Sequence, residues 1–332
     1  MSIVYGYEPA PRDDPIITIV ERAVDLAIES IRPEVAAFLG LFPFVRYAPS
    51  WLPGASFKRT ALRSQKFAGD MVDAPFRLVE KRMNAGTAVP SMVTDSLRRV
   101  SRDEDDEKYS QAVRESSVTA FAAGSETTAS TLLVFVLAML LYPEVQQRAQ
   151  AEINSVVGTD RLPDFEDRAS LPYVEAVYRE TLRWYPTAPL GVPHATTNAD
   201  VYNGYFIPQG ATIITNTWAM TRNEAKYLNP EEFRPERFFT ASGELNDDHV
   251  NYAFGAGRRI CAGRYIADAS VWSAMVSILA TFNITKCKDE QGNEVPVNPK
   301  WVAGVTTRPY DFQCNVTPRF PGLTTEKLAQ MF

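Results

Sequence analysis

The stretch Phe254-Gly255-Ala256-Gly257-Arg258-Arg259-Ile260-Cys261-Ala262-Gly263 decides how this chain folds and what it can bind. A cysteine binds a metal as its thiolate, so Cys261 needs surroundings that stabilise negative charge. The glycines allow tight turns, in which backbone N–H groups can point at the sulfur. The residues after Cys261 are predicted to form a helix, and a helix N-terminus favours an anion. The stretch therefore predicts a metal-ligating cysteine; the alternative is a structural cysteine in a glycine-rich turn.

The fixed positions of this stretch resemble the heme-binding loop of the cytochrome P-450 family. That loop reads Phe, two residues, Gly, one residue, Arg, one residue, Cys, one residue and Gly. Here the fixed positions are filled by Phe254, Gly257, Arg259, Cys261 and Gly263. The resemblance implies that the chain binds heme b (iron protoporphyrin IX), with Cys261 as the axial thiolate ligand of the iron.

A second motif, Ala123-Gly124-Ser125-Glu126-Thr127-Thr128, lies within a long apolar segment. A glycine inside a helix costs about 1 kcal/mol relative to alanine, and threonine hydroxyls can bond back to helix carbonyls and bend the axis. These residues predict a local opening of the helix with room for a small ligand; the alternative is a kink with a buried polar pair. The motif resembles the oxygen-activation motif of the cytochrome P-450 distal helix. The resemblance implies that Thr127 orients dioxygen and that Glu126 relays protons.

A third pair, Glu180 and Arg183, is spaced i and i+3 on a predicted helix, close enough for an ion pair. Most pairs of this kind are solvated and contribute little to stability. The segment resembles the Glu-x-x-Arg motif of the same family, and Pro235-Glu236-Arg237-Phe238 resembles the downstream segment that supplies its third member. The resemblance implies a structural network of Glu180, Arg183 and Arg237 that supports the heme loop.

His194 follows Pro193 and precedes the Ile207-Pro208 turn by thirteen residues. A lone histidine is more often a structural residue than a functional one. The cytochrome P-450 family often places His or Arg at this point to contact a heme propionate. The resemblance implies that His194 and Arg259 together pair with the propionates.

The composition is that of an ordinary globular protein: 332 residues, 45% hydrophobic, 22% charged and a net charge of −6. The charge gives no nucleic-acid signature, and two histidines cannot build a zinc cluster. Cys287 and Cys314 show no disulfide framework and are predicted to be structural. The predicted fold is mainly α with a minor β part, as in a cytochrome P-450 fold without its N-terminal helices and strands. Residues 1–332 are predicted to be a single partial domain of that kind.

Residue spacing predicts the main helices and strands. Predicted helices cover residues 15–30, 58–84, 107–141, 143–157, 172–185 and 264–282. Short strands are predicted within residues 201–216 and 283–318, whereas residues 46–56 and 230–239 are predicted to be irregular.

No signal peptide or membrane anchor is visible at the N-terminus, and Ser116–Tyr142 is interpreted as a core helix rather than a membrane span, because Glu126 is charged. No tryptophan has Arg four residues later, so the family's Trp-x-x-x-Arg motif is missing. The sequence is interpreted as the last two thirds of the family pattern, from a truncated gene model, an expressed fragment or an altered member. The family's anchor is expected upstream, and the resemblance implies the cytoplasmic face of the endoplasmic reticulum membrane.

The resemblance implies a fungal-type, membrane-bound monooxygenase. It would insert one oxygen atom of O2 into a small apolar organic substrate, with electrons from NADPH through NADPH-cytochrome P-450 reductase. Leu190 and Val305-Thr306-Thr307 fall where the family lines its substrate pocket. Two other hypotheses remain: a heme-poor, inactive fragment or partner surface, and a heme-thiolate peroxidase that uses peroxide directly.

Overall fold

The computed structural model describes residues 1–30, 33–99, 106–302 and 304–331. Most of its helices begin at a residue that favours a helix start. Proline at the first helical position begins several of them, because its missing N–H would have no partner there. The helices are α1 Ser2–Tyr5, α2 Pro15–Ser30, α3 Pro33–Leu41, α4 Ser56–Asn84, α5 Met92–Arg98, α6 Asp106–Leu141, α7 Pro143–Val156, α8 Pro172–Trp184, α9 Thr217–Thr221, α10 Arg264–Thr281 and α11 Thr325–Gln330.

The strands are short and form two-stranded antiparallel sheets. β1 (His194–Ala195) pairs with β4 (Thr212–Ile213), β2 (Asp200–Tyr202) with β3 (Tyr205–Ile207), and β5 (Phe282–Thr285) with β6 (Asn315–Pro318). The turn between β2 and β3 is Asn203-Gly204, and both residues have positive φ, as a two-residue hairpin turn requires. The fold is mainly α with a minor β part, which confirms the predicted class.

The chain divides into two compact units, Met1–Glu126 and Thr127–Phe332. In the first unit, α2 packs on α4 around a core that includes Phe76, Val79 and Val93. Asp14 caps α2 by accepting hydrogen bonds from the amides of Ile16 and Ile17 at 2.9 and 3.0 Å. That a single domain covers residues 1–332 stays a prediction.

The second unit has its core between α7, α8 and α10, together with the C-terminal half of α6. Trp272, Phe135 and Phe238 are among the largest fully buried side chains there. The buried amide of Gln146 on α7 donates to the Ile284 carbonyl at 2.9 Å and accepts from the Ile284 amide at 2.8 Å. Because that amide fills the open edge of β5, it fixes α7 to the strand that follows α10.

The predicted helices are confirmed within a few residues. α5 was not predicted, because its capping box joins Ser91 to Thr94 instead of the usual Glu or Gln. Pro235–Phe238, predicted to be irregular, forms a 3₁₀ turn that begins at a proline.

The segment Glu107–Leu141 is long and apolar enough to cross a membrane by length and composition. Only 44% of its most apolar window is buried inside the protein. The part in the second unit is largely buried: Val134, Phe135 and Leu137 have no exposed surface. That burial favours the interpretation of this part as a core helix.

Candidate functional site

The loop that carries Cys261 is built from two 3₁₀ turns, Asn251–Phe254 and Gly257–Arg259. Gly255 and Gly257 have φ values of +80° and +63°, which glycine adopts without steric cost. The Cys261 amide donates to the Phe254 carbonyl at 2.8 Å and closes the loop on itself. Its motif residues therefore lie together in one turn structure that ends where α10 begins.

The sulfur of Cys261 lies at the protein surface, because Cys261 is an exposed free cysteine. A Cβ atom added to Gly263 would lie 4.0 Å from the sulfur, so this glycine keeps the backbone beside the thiol uncovered. Among the described residues, no group of three or more His, Cys, Asp and Glu side chains could hold a metal ion.

Glu180, Arg183 and Arg237 form one buried network in the second unit. Arg183 donates to both carboxylate oxygens of Glu180, from Nε at 2.6 Å and from Nη2 at 2.8 Å. Arg237 adds a bond from its Nε to Glu180 Oε1 at 3.1 Å, and the amide of Arg234 adds another at 2.7 Å. The Glu180 and Arg183 side chains are completely buried, so this pair is not the solvated contact that the i, i+3 spacing alone would suggest.

The other hydrogen bonds of Arg183 go to backbone carbonyl groups rather than to side chains. They reach the carbonyls of Thr221 at 3.0 Å, Pro230 at 2.9 Å and Glu232 at 3.1 Å. Arg237 also donates to the Glu232 carbonyl, at 3.2 Å. Burial lowers the pKa of the Arg237 guanidinium, and the Glu180 carboxylate works against that shift. The network therefore ties α8 to the irregular segment that leads toward the cysteine loop.

His194 and Arg259 lie on separate elements of the second unit. His194 is exposed on β1, opposite Ile213 of β4, and Arg259 is exposed at the end of the 3₁₀ turn Gly257–Arg259. In the part of the chain that the structure describes, neither side chain makes a hydrogen bond or an ion pair. Both groups are therefore open to an added anion, and their shared propionate role stays a prediction.

The residues of the second motif lie on α6. Ala123 and Gly124 are exposed, while Glu126 and Thr127 are half-buried. The helix is continuous from Asp106 to Leu141, and the predicted local opening stays a prediction. The hydroxyl of Thr131, one turn further on, bonds back to the Thr127 carbonyl at 2.9 Å.

Gly124 faces open space on the surface of α6. A Cβ atom added to Gly124 would meet nothing within 4 Å. Ala123, Gly124 and Glu126 belong to the first unit, whereas Cys261 belongs to the second. The distal roles of Glu126 and Thr127 stay predictions.

The comparisons agree with the geometry of the cysteine loop and the buried network. A model of the family described as Cytochrome P450 matches residues 12–316. This chain belongs to the cytochrome P-450 family. The resemblance drawn from the sequence motifs is thereby confirmed.

Named relatives of this chain in the cytochrome P-450 family are monooxygenases. One from Armillaria gallica is 42% identical over 316 residues, which are 95% of this chain and 62% of the relative. The monooxygenase claR of Ampulloclitocybe clavipes is 41% identical over 96% of this chain and 59% of the relative. The monooxygenase ple1 of Rhodocybe pseudopiperita is 39% identical over 96% of this chain and 61% of the relative. The chain thus spans about three fifths of the length of these relatives.

The sequence motifs missed the residues that link the network to the loop. The amide of Arg234 and the carbonyls of Pro230 and Glu232 bind the buried network through the backbone, which leaves no side-chain signal. Asp248 lies just before the loop and Tyr252 lies in its first turn, and both side chains contact the hydroxyl of buried Tyr227. Their closeness to Phe254 in the sequence was the one signal available.

Proposed function

We propose that this chain carries the heme-binding part of a monooxygenase that inserts one oxygen atom of O2 into a small apolar organic substrate. The observation that carries the proposal is the Cys261 loop. Its cysteine is exposed, and the Cys261 amide donates to the Phe254 carbonyl at 2.8 Å. Membership in a family whose named relatives are monooxygenases supports the same chemistry.

The residues present fit heme b. Cys261 offers one soft, surface-facing sulfur, and Gly263 leaves the backbone beside it bare. Arg259 and His194 offer exposed donors for the two propionates. Bound through a thiolate, the heme supplies an iron whose electron density favours O–O cleavage.

The chain's own residues would place the substrate and move protons. Leu190 and Val305, both exposed and apolar, suit an apolar substrate. Their segments are joined, because the Thr307 amide donates to the Thr187 carbonyl at 2.7 Å, and the Thr187 and Thr131 hydroxyls lie 3.0 Å apart. On α6, Thr127 would hold a proton near dioxygen, and the Glu126 carboxyl would exchange protons with solvent.

The electrons would come from NADPH through NADPH-cytochrome P-450 reductase, which would dock on the exposed surface around Cys261. That surface carries the exposed cation Arg258, which favours an acidic partner. The protein would work at the cytoplasmic face of the endoplasmic reticulum membrane.

The deciding experiment is the spectrum of the reduced carbon monoxide complex of the 332-residue chain after heme is supplied. The wild type and a Cys287→Ala variant should show the red-shifted Soret band of a thiolate ligand, whereas Cys261→Ala should lose it. Cys287 is the matched control, since it is a free, half-buried cysteine elsewhere in the same unit. A Cys261→Ala protein that kept the band would refute the ligand assignment, and no heme uptake by the wild type would favour an inactive fragment.

A further inference from the structure

Three polar side chains outside the family motifs form a directed chain of hydrogen bonds. The buried Tyr227 hydroxyl donates to Asp248 Oδ2 at 2.6 Å, and its oxygen lies 2.8 Å from the Tyr252 hydroxyl. A carboxylate can only accept, and a tyrosine hydroxyl has one hydrogen. Tyr252 must therefore donate to Tyr227, and Tyr227 to Asp248.

Asp248 is the charged end of this chain. Burial acts to raise its pKa, but hydrogen bonds from Tyr227 and Lys226 outweigh burial, so the pKa of Asp248 lies below its ordinary value. Lys226 Nζ lies 2.9 Å from Asp248 Oδ2. The carboxylate is thus ionised at neutral pH, and hydrogen bonds to an ionised acceptor are the strong ones.

At one end the chain meets the buried network of the second unit. The Arg183 guanidinium carbon lies 5.3 Å from the centre of the Tyr227 ring, and that of Arg237 lies 6.0 Å away. Cations at this distance from an aromatic face are attracted to it. Arg179 on α8 also donates to the Asn246 carbonyl at 2.7 Å, which holds the segment that carries Asp248.

At the other end the chain meets the cysteine loop. Val250 is buried with φ of +54°, a conformation that a β-branched residue rarely adopts. Its amide donates to Asp248 Oδ1 at 3.2 Å, so the carboxylate holds this turn in place. The next residues form the 3₁₀ turn Asn251–Phe254, which contains Tyr252 and ends with the carbonyl that accepts the Cys261 amide.

We propose that Tyr227, Asp248 and Tyr252 are positioning residues for Cys261. They fix the turn Asn251–Phe254 from the side of the buried network, and the Phe254 carbonyl then sets where the cysteine backbone lies. The chain of bonds is made by residues of the folded protein alone. The role of these three side chains in heme ligation rests on the proposed function.

Hydrogen exchange of the heme-free, 332-residue chain tests the positioning role directly. In Tyr252→Phe and Tyr227→Phe, exchange in peptides covering residues 255–261 should rise about tenfold, the usual effect of one lost hydrogen bond. Peptides from α8 should change much less. Tyr173→Phe is the matched control, because the hydroxyl of buried Tyr173 donates to Glu236 Oε1 at 2.9 Å away from the loop.

Two results would overturn the inference: loop exchange equal to wild type in Tyr252→Phe, or an equal rise in the loop and in α8. Asp248→Asn guards against a misfolded variant, because it keeps an acceptor for Tyr227 and should protect the loop better than Asp248→Ala does. In the heme-loaded chain, Tyr252→Phe should lower the fraction of the reduced carbon monoxide complex with the thiolate band. If the wild type takes up no heme, the proposed function fails, and the exchange data still decide the positioning role.

Discussion

Replacing Arg183 with alanine should destabilise the second unit more than any surface substitution. The side chain is fully buried and donates to both oxygens of Glu180 and to three backbone carbonyls. Its loss leaves the Glu180 carboxylate buried with Arg237 as its remaining guanidinium partner. Removing one member of a buried ion pair costs about 3–5 kcal/mol. For a unit of this size, the unfolding midpoint should fall by about 6–20 °C.

Tryptophan fluorescence during thermal unfolding measures this loss. Four of the five tryptophans, Trp184, Trp218, Trp272 and Trp301, lie in the second unit. The control is Arg148→Ala, which breaks an exposed ion pair of the same type with Glu236 and should cost no more than about 1 kcal/mol. If Arg183→Ala lowers the midpoint no further than Arg148→Ala does, the argument from burial is wrong.

Three further predictions follow from other contacts. Gly257→Ala places a side chain at φ of +63° and should lower heme occupancy in the carbon monoxide assay, whereas Gly243→Ala, at +85° in a distant turn, should leave it unchanged. Hydrogen bonds from Tyr7 and the backbone outweigh burial and lower the pKa of Asp14 to about 2. The stability from Asp14 is therefore present above its unfolded pKa of about 4 and is lost as pH falls toward 2, so Asp14→Asn should flatten that part of a pH series of circular dichroism melts. Gln146→Leu leaves the amide and carbonyl of Ile284 without partners and should cost about 1–3 kcal/mol in urea unfolding, with faster exchange at the Ile284 amide.

Local spacing explains why the cysteine loop and the buried network could be predicted. The loop's residues are neighbours in sequence. Its positive φ values fall at Gly255 and Gly257, and glycine is the residue type that predicts such values. Glu180 and Arg183 lie one helical turn apart, so only the third member, Arg237, had to come from a distant segment. The resemblance to a known family supplied that connection.

Partners that act through the backbone could not be predicted. The carbonyl groups that Arg183 binds come from residues whose identities give no hint of the contact. The Tyr227 and Tyr252 pair shows the same limit, since 25 residues separate two hydroxyls that touch.

The guanidinium of Arg183 also constrains how the chain can change between Thr221 and Glu232. That segment has little regular structure, and its carbonyls meet a planar group whose N–H directions are fixed. The side chains of the segment can vary without affecting this contact, because it uses none of them. An insertion or deletion would disrupt the contact, because one added residue would shift a carbonyl group out of reach of the Arg183 guanidinium. The length of this segment is therefore expected to be far less variable than its composition.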